Sequence, residues 1–325
     1  MVKLASAEAA QTKKATRAAL GATLAELAGA GVPVVAVDAD LTGSTTMKKL
    51  ADAGHSDRLF NCGIAEQNMV DVAAGLSLAG NVAFTGSFAV FGTGRAYDQI
   101  RNTVCYSNLN VKITPTHAGI SVGPDGGSHQ MLEDVALMRG LPGMRVLVPA
   151  DYAAARAAIK LAAATPGPVY VRMGRAAVPC VYDDDVELQI GRAYVLREGT
   201  DVTIVANGVE IREALAAADA LAAEGIAAEV VDAFSVKPLD GETIAASLAK
   251  TGCAVTAEEH SVLGGLGSAV CELAAAVCPV PVECVGVRDR FGKSGEFEEL
   301  LGYFSLDAAA IVDAVKKAVA RKGLC

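Results

Sequence analysis

Two of the four histidines in the chain bracket a glycine-rich segment that also holds an acidic residue. His117 and His129 lie on either side of Asp125, and the segment follows a predicted strand over 111–113. Glycine lets a backbone approach a ligand closely, and imidazole can move protons near neutral pH. The pattern therefore predicts a binding or catalytic site in this loop, with a solvated loop as the alternative. A zinc site is disfavoured because no third ligand stands at a recognised spacing.

Two further segments place a carboxylate or aromatic rings at the end of a predicted element. Glu66 begins a predicted helix over 65–79, where a carboxylate either serves a site or only complements the helix dipole. Phe88 and Phe91 follow a predicted strand over 82–84, in a chain with 5% aromatic residues and no tryptophan. They predict either a ring-binding pocket or ordinary core packing. Spacing alone leaves both questions open.

Strand and helix patterns alternate through the first half of the chain. The predicted strands cover 34–37, 58–62, 82–84, 111–113, 145–148 and 169–172, and the predicted helices cover 6–30, 46–53, 65–79, 93–107, 130–138 and 151–164. Continuous apolar runs separated by helices indicate a mainly parallel sheet covered on both faces. Ligands bind beyond the carboxyl ends of such strands, which singles out the loops after Val37, Phe84, Ile113 and Val171.

A change of composition over 174–200, with Pro179 and three consecutive aspartates, indicates a boundary between two domains. After it, predicted strands at 202–205, 228–231, 254–256 and 282–285 alternate with predicted helices at 209–223, 241–249, 265–277 and 307–321. The predicted fold class is α/β, with two domains that each contain a mainly parallel sheet flanked by helices. We expect the first domain over 1–178, a linker over 179–190 and the second domain over 191–325.

Composition excludes several classes of protein. The net charge of −9 argues against nucleic-acid binding, which needs a basic face. No run approaches the roughly 20 apolar residues of a membrane-spanning helix, although 52% of residues are hydrophobic. We expect no secretion signal, because no apolar core follows a basic segment at the start. The eight scattered cysteines are typical of reduced thiols and predict a cytoplasmic protein.

Taken in order, four segments resemble the pyrimidine-binding half of the transketolase family. They are Phe60-Asn61-Cys62-Gly63-Ile64-Ala65-Glu66-Gln67-Asn68-Met69, Thr85-Gly86-Ser87-Phe88-Ala89-Val90-Phe91, Thr116-His117-Ala118-Gly119-Ile120 and Gly123-Pro124-Asp125-Gly126-Gly127-Ser128-His129-Gln130. Ala257-Glu258-Glu259-His260 with Gly264-Gly265-Leu266-Gly267 resembles the signature of the family's C-terminal domain. The resemblance covers essentially the whole chain and implies transfer of a two-carbon ketol unit from a ketose phosphate to an aldose phosphate.

The family's Gly-Asp-Gly motif, which holds Mg²⁺ and the cofactor diphosphate through oxygen ligands, does not occur in this sequence. The chain therefore resembles the C-terminal subunit of a split transketolase. The resemblance implies thiamine diphosphate as cofactor, an N-terminal subunit that carries the Mg²⁺ site, and an α2β2 assembly. No metal ligand is expected in this chain.

The resemblance also implies a role for each matching residue. Glu66 would hydrogen-bond the aminopyrimidine ring of the cofactor, and Phe88 and Phe91 would pack on that ring. Asp40 would lie near the thiazolium ring, and Ile64 belongs to the same cofactor-binding set. The resemblance also implies that Glu66 is catalytic.

The substrate residues are implied in the same way. His129 would handle the donor's hydroxyl and carbonyl oxygens, and Asp125 would bind a sugar hydroxyl; both His129 and His117 are expected to be catalytic. The substrate phosphate would be bound by a mainly basic set, since the fork of an arginine suits a phosphate. That set is Arg17, Ser44, His117 and Arg172.

Departures from the family pattern leave other functions open. Gly127-Ser128 replaces Pro-Thr, Gly92-Thr93-Gly94-Arg95 lacks an aromatic residue, and Met173-Gly174 replaces a polar pair. The alternatives are the β subunit of a 2-oxoacid dehydrogenase, a relative of deoxyxylulose-phosphate synthase, and a transketolase specialised for a branched or sulfonated sugar. A scaffold without activity is disfavoured, because Glu66 and the histidines are present.

Overall fold

The computed structural model describes residues 2–6 and 8–322. A seven-stranded sheet forms the first domain, with the strand order β12-β6-β7-β5-β4-β2-β3. Its strands are β2 (Val34–Asp38), β3 (Leu59–Asn61), β4 (Val82–Gly86), β5 (Val111–Ile113), β6 (Arg145–Leu147), β7 (Val169–Val171) and β12 (Ser235–Lys237). All neighbours pair in parallel except β12, which pairs antiparallel with β6.

Helices cover both faces of this sheet. They are α1 (Ala18–Gly29), α2 (Lys48–Asp52), α3 (Glu66–Leu78), α4 (Asp134–Arg139) and α5 (Tyr152–Ala164). Successive residues of β2 point to opposite faces, so Val34 and Ala36 pack in the core with α1 and α5. Val35 and Val37 pack on the other side, in the core that includes α3. Burial on both faces explains why the strand is continuously apolar.

The second domain contains a five-stranded sheet with the order β14-β13-β10-β11-β9. Its strands are β9 (Tyr194–Arg197), β10 (Val202–Ala206), β11 (Ala228–Asp232), β13 (Ala254–Ser261) and β14 (Val282–Val287). Its helices are α6 (Glu210–Ala223), α7 (Gly241–Thr251), α8 (Leu266–Val277), α9 (Phe297–Phe304) and α10 (Ala308–Lys322). Only β9 runs antiparallel in this sheet. The predicted fold class is confirmed.

Several predicted elements were wrong in detail. The predicted helix over 6–30 is wrong before residue 18, because β1 (Lys13–Ala15) pairs antiparallel with β8 (Ala177–Pro179). That partner lies more than 160 residues away, so local periodicity could not reveal it. The predicted helix over 93–107 consists of two π-helical segments, Val90–Arg95 and Gln99–Cys105.

The second domain also differs from the expectation. Its sheet has five strands where four were predicted, because β9 lies inside the segment over 174–200 that we interpreted as a domain boundary, and α9 was not predicted. Strand β12 follows β11 in the chain but joins the sheet of the first domain. A strand from the second part of the chain thus forms one edge of the first sheet. Among the described residues, no helix combines the length and apolar character needed to cross a bilayer.

Candidate functional site

The carboxyl ends of the parallel strands in the first sheet gather most of the predicted site residues. Asp40 follows β2, Glu66 begins α3 just after β3, Phe88 follows β4 and His117 follows β5. Because β2, β3, β4 and β5 are neighbours or near neighbours in the sheet, these side chains come to one edge. An isolated bridge between Phe88 and Thr116 continues the pairing beyond the strand ends.

Two phenyl rings and two imidazole rings form a compact cluster at this edge. The rings of Phe88 and His117 stack with centroids 3.8 Å apart. Phe88 and Phe91 are nearly parallel, with centroids 6.2 Å apart and 14° between their planes. His129 meets the ring of Phe91 edge-on at 5.4 Å. The structure therefore joins the two phenylalanines with the loop from His117 to His129, called the histidine loop below. Together their rings form a single aromatic wall.

Glu66 is buried beside this wall and is paired with an arginine. Its side chain is only 2% exposed, and its Oε2 accepts a hydrogen bond from Arg95 Nη1 at 2.8 Å. The guanidinium of Arg95 also lies over the ring of Phe91, 4.6 Å from its centroid. A buried carboxylate next to parallel rings fits a flat nitrogen heterocycle. The rings can contact the faces of the heterocycle, and the carboxylate can bind one of its ring nitrogens.

A basic group lies next to the aromatic wall. Arg17 donates from Nη1 to the carbonyl oxygen of Ser44 at 2.7 Å, while its buried Nε has no hydrogen-bond partner within residues 2–6 and 8–322. Burial, and then the positive charge of Arg175, lowers the pKa of Arg17. An unpartnered buried donor beside a second guanidinium suits an anion such as a phosphate.

His117 belongs to the same group but carries no charge at neutral pH. Burial, followed by the charges of Arg17 and Arg175 and then His129, lowers the pKa of His117 to about 3. Its Nδ1 lies 2.8 Å from the hydroxyl of Thr116. His117 can therefore offer a neutral hydrogen bond at this site, whereas the positive charge comes from the two arginines.

The expected phosphate role of Arg172 does not agree with the structure. Its side chain is 7% exposed and is bound to Asp134, with Nε 2.7 Å from Oδ2, and its Nη1 lies 3.5 Å from Glu259 Oε2. Burial alone would lower the pKa of Arg172, but Asp134 and Glu259 outweigh burial and raise it. Arg172 is thus engaged inside the protein, and Arg175 takes the place beside Arg17 and His117.

The remaining predicted residues, Asp40, Ile64 and Asp125, lie in the segments that follow β2, β3 and β5. Asp40 has a left-handed backbone conformation, with φ of 65°, and its amide donates to Asn61 Oδ1. Ile64 is 78% exposed next to Glu66, and Asp125 is exposed near the end of a 3-10 segment over Ile120–Asp125. The hydroxyl of Ser128 contacts Nδ1 of His129 at 3.0 Å.

Sequence reasoning did not single out Arg95 or Arg175, which the structure places next to predicted site residues. Both are basic residues placed just beyond predicted site segments, Arg95 four residues after Phe91 and Arg175 four residues after the end of β7. Beyond that, only the fold shows which acidic group or loop each one meets. No group of three or more His, Cys, Asp or Glu residues within 2–6 and 8–322 is arranged to hold a metal ion.

Two glycines of the histidine loop lie against the second domain. A Cβ on Gly119 would lie 2.2 Å from Cδ of Glu259, and one on Gly127 would lie 2.6 Å from the carbonyl oxygen of Gly292. Both contacts are with the second domain. The absence of side chains lets that domain approach the loop, whereas we had expected it to let a ligand approach.

Comparison with known proteins agrees with this arrangement. Residues 12–181 match the family "Transketolase, pyrimidine binding domain", and residues 191–311 match "Transketolase, C-terminal domain". The chain is 45% identical over 301 residues to the "Putative transketolase C-terminal section" of Methanocaldococcus jannaschii, covering 92% of this chain and 94% of that protein. It is 44% identical to the "6-deoxy-6-sulfo-D-fructose transketolase subunit SqwH" of Clostridium sp. (strain MSTE9), covering 89% of each.

A solved structure described as "Split gene transketolase, inactive beta4 tetramer" superposes with a TM-score of 0.88 at 50% identity, covering 96% of this chain and 100% of that one. The fold and site thus define a chain made of a pyrimidine-binding domain followed by a transketolase C-terminal domain. The chain belongs to the transketolase family. The resemblance to the C-terminal subunit of a split transketolase is confirmed, and family membership implies thiamine diphosphate as cofactor.

Proposed function

We propose that this chain, together with an N-terminal subunit, transfers a two-carbon ketol unit from a ketose phosphate to an aldose phosphate. The observation that carries the proposal is the juxtaposition of Glu66, the aromatic wall and the Arg17–Arg175 pair at one sheet edge. A cofactor ring and a sugar phosphate could bind there side by side. The length match to the relative described as a C-terminal section supports a separate N-terminal subunit.

The residues fit the pyrimidine half of thiamine diphosphate. Glu66 would bind a ring nitrogen, Phe88 and Phe91 would contact the ring face, and Asp40 and Ile64 would border the rest of the cofactor. When bound, the cofactor supplies the nucleophilic carbon that attacks the donor's carbonyl group. Mg²⁺ and the diphosphate would be held mainly by the N-terminal subunit.

The chain's own side chains would orient the sugar and move protons. His129, whose ring meets Phe91 edge-on, would exchange a proton with donor hydroxyl and carbonyl oxygens, and Asp125 would bind a neighbouring hydroxyl. Arg17 and Arg175 would bind the phosphate, with hydrogen bonds from His117 and Ser44. We do not assign Arg172 to the substrate, since its guanidinium is bound to Asp134 and Glu259.

We further propose the domain limits 1–178 and 191–325 with a linker over 179–190, an α2β2 assembly, and a cytoplasmic, pentose-phosphate context. One relative is described as a sulfofructose transketolase subunit, which supports a second candidate, a donor that carries a sulfonate. Arginine forks bind sulfonate and phosphate oxygens alike, so the two donors must be compared directly.

Reconstitution tests the proposed function. The purified chain should be inactive alone, and should convert xylulose 5-phosphate and ribose 5-phosphate once the N-terminal subunit, thiamine diphosphate and Mg²⁺ are added. Glu66→Gln should lower kcat/KM by about 100-fold or more, because it removes the ionisable group at the cofactor. Glu26→Gln, which alters an exposed ion pair with Arg156 and Lys160, is the control and should keep full activity. Ketol transfer by the isolated chain, or full turnover by Glu66→Gln, would contradict the proposal.

A further inference from the structure

A carboxylate of the second domain reaches the backbone of the histidine loop. Glu259 lies in β13, and its side chain is only 2% exposed. Its Oε1 accepts a hydrogen bond from the amide of Ser121 at 2.5 Å. Ser121 lies between His117 and Asp125, so this contact fixes the middle of the segment that carries two proposed substrate residues.

The same glutamate is anchored from its other side by the first domain. The carbonyl oxygen of Glu259 accepts a hydrogen bond from Arg172 Nη2 at 2.8 Å. Arg172 in turn pairs with Asp134, which accepts a hydrogen bond from the hydroxyl of Tyr170. All of these groups are buried, so each polar atom depends on the others for a partner.

The loop is packed closely enough against the second domain for this contact to matter. Gln130 donates from Nε2 to Ile120 O at 3.2 Å and to Lys293 O at 2.9 Å, which joins the loop to the second domain at a further point. A Cβ on Gly126 would lie 2.4 Å from Ser294 Oγ. From the first domain, Arg175 Nη1 donates to Val122 O at 2.8 Å. The backbone of the loop is therefore held between the second domain and a proposed phosphate-binding arginine.

We propose that Glu259 is a positioning residue of the substrate site, through which the C-terminal domain holds the His117–Asp125 loop in the geometry that binds the sugar phosphate. The proposal rests on the proposed function for the identity of the ligand. Glu259 itself does not touch the substrate; it acts through the Ser121 amide and the packing against Gly119. The second domain thereby takes part in substrate recognition from behind the site.

Two substitutions separate the hydrogen bond from the charge. Glu259→Gln keeps the length and an acceptor oxygen for the Ser121 amide but removes the charge that faces Arg172. Glu259→Asp keeps the charge but draws the acceptor back by one methylene. Glu258→Asp is the matched control, since Glu258 is an equally buried neighbour in β13 whose carboxylate accepts hydrogen bonds from the amides of Leu266 and Gly267 in α8.

The first measurement is amide hydrogen exchange of the full chain, read in peptides that cover 117–130. Glu259→Asp should speed exchange of this segment about tenfold, in line with the loss of one hydrogen bond to a charged group, while Glu259→Gln should stay close to the unchanged chain. Glu258→Asp should leave the segment unaffected. Unchanged exchange in Glu259→Asp, or an equal rise in the Glu258→Asp control, would overturn the proposal.

The second measurement is steady-state kinetics after reconstitution with the N-terminal subunit. Glu259→Asp should raise KM for xylulose 5-phosphate about tenfold with kcat within about twofold, and should change turnover of unphosphorylated xylulose much less. Faster loop exchange with an unaltered KM would refute the role in recognition. If the unchanged chain and its partner transfer no ketol unit, the proposed function fails, and the exchange result alone decides whether Glu259 holds the loop.

Discussion

Arg172 and Arg175 lie three residues apart, yet the fold gives them different surroundings. Arg172 directly follows β7, where its side chain is enclosed by Asp134 and Glu259. Arg175 lies beyond the strand, is half-buried, and reaches the histidine loop next to Arg17 and His117. A buried guanidinium such as that of Arg172 needs a carboxylate partner inside the protein. The half-buried guanidinium of Arg175 has no such ion pair within the part of the chain that the structure describes and can bind an anion together with Arg17.

This difference predicts a loss of stability for one arginine and a loss of substrate binding for the other when each is replaced by methionine. Arg172→Met should lower the free energy of unfolding by about 3–5 kcal/mol, because it leaves the Asp134 carboxylate buried without its partner. Arg175→Met should change stability by about 1 kcal/mol or less but raise KM for a phosphorylated sugar about tenfold or more. Denaturant unfolding and steady-state kinetics on both variants check this. A normal KM in Arg175→Met, or full stability in Arg172→Met, would contradict the assignment.

Helix α1 determines where Arg17 lies, and a close contact fixes the start of that helix. Gly21 packs against the loop that contains Ser44: its amide donates to Thr46 Oγ1 at 3.1 Å, and a Cβ on Gly21 would lie 1.8 Å from Thr46 O. The hydroxyl of Thr46 also donates to the carbonyl oxygen of Arg17. The glycine therefore sets the distance between two proposed phosphate residues.

Gly21→Ala tests this contact against a neighbour in the same helix. We expect a loss of about 1–3 kcal/mol in the free energy of unfolding, since the added methyl group must displace backbone. Gly29→Ala is the control: its Cβ would meet no atom of the described part of the chain within 4 Å, so alanine should be neutral or stabilising by about 0.5–1 kcal/mol. Thermal or urea unfolding measures both. Equal stability of the two variants would show that the α1 contact is looser than described.

The whole molecule depends on contacts between its two sheets and the linker. The hydroxyl of Tyr182, from the proposed linker, donates to Asp232 Oδ2 at the end of β11. Asp151 caps α5 and also accepts hydrogen bonds from the amides of Val181 and Tyr182. Burial, opposed by the hydrogen bond from Tyr182 and assisted by the charge of Asp151, raises the pKa of Asp232 to about 7. The linker is thus fixed by two buried carboxylates, one from each domain.

The raised pKa of Asp232 predicts a pH dependence of stability. The folded chain binds the proton more tightly than the unfolded chain, so this group's contribution to stability declines as pH rises from about 4 to about 7. Between pH 5 and pH 8 the decline should be about 2.5 kcal/mol, and Asp232→Asn should remove most of it. Asp313→Asn, at an exposed position, should keep the original slope. Unfolding curves at both pH values check this, and an unaltered slope in Asp232→Asn would refute it.

Much of the fold and part of the site could be predicted from local patterns. Continuous valine and alanine runs such as Val34–Val37 predicted buried parallel strands, because burial on both faces requires apolar residues at every position. The order of strand ends then brought Phe88 and His117 to one edge, which the structure shows as stacked rings. Predictions failed where a partner was distant, as for β1 with β8 and for β12, since periodicity carries no information about pairing.

The sequence by itself determined the family, the alternation of strands and helices, and the set of chemically capable residues, because these depend on residue type, order and short-range spacing. Only the tertiary structure decided that, within the residues it describes, Arg172 is held in an internal ion pair while Arg175 is not. It also decided that Arg95 pairs with Glu66 and that the loop glycines face the second domain. The physical reason is that burial and neighbours far away in the chain decide whether a charged side chain can bind a ligand and which segments pack closely together. Residues of one type, such as Arg172 and Arg175, are equivalent until the fold gives each its partners.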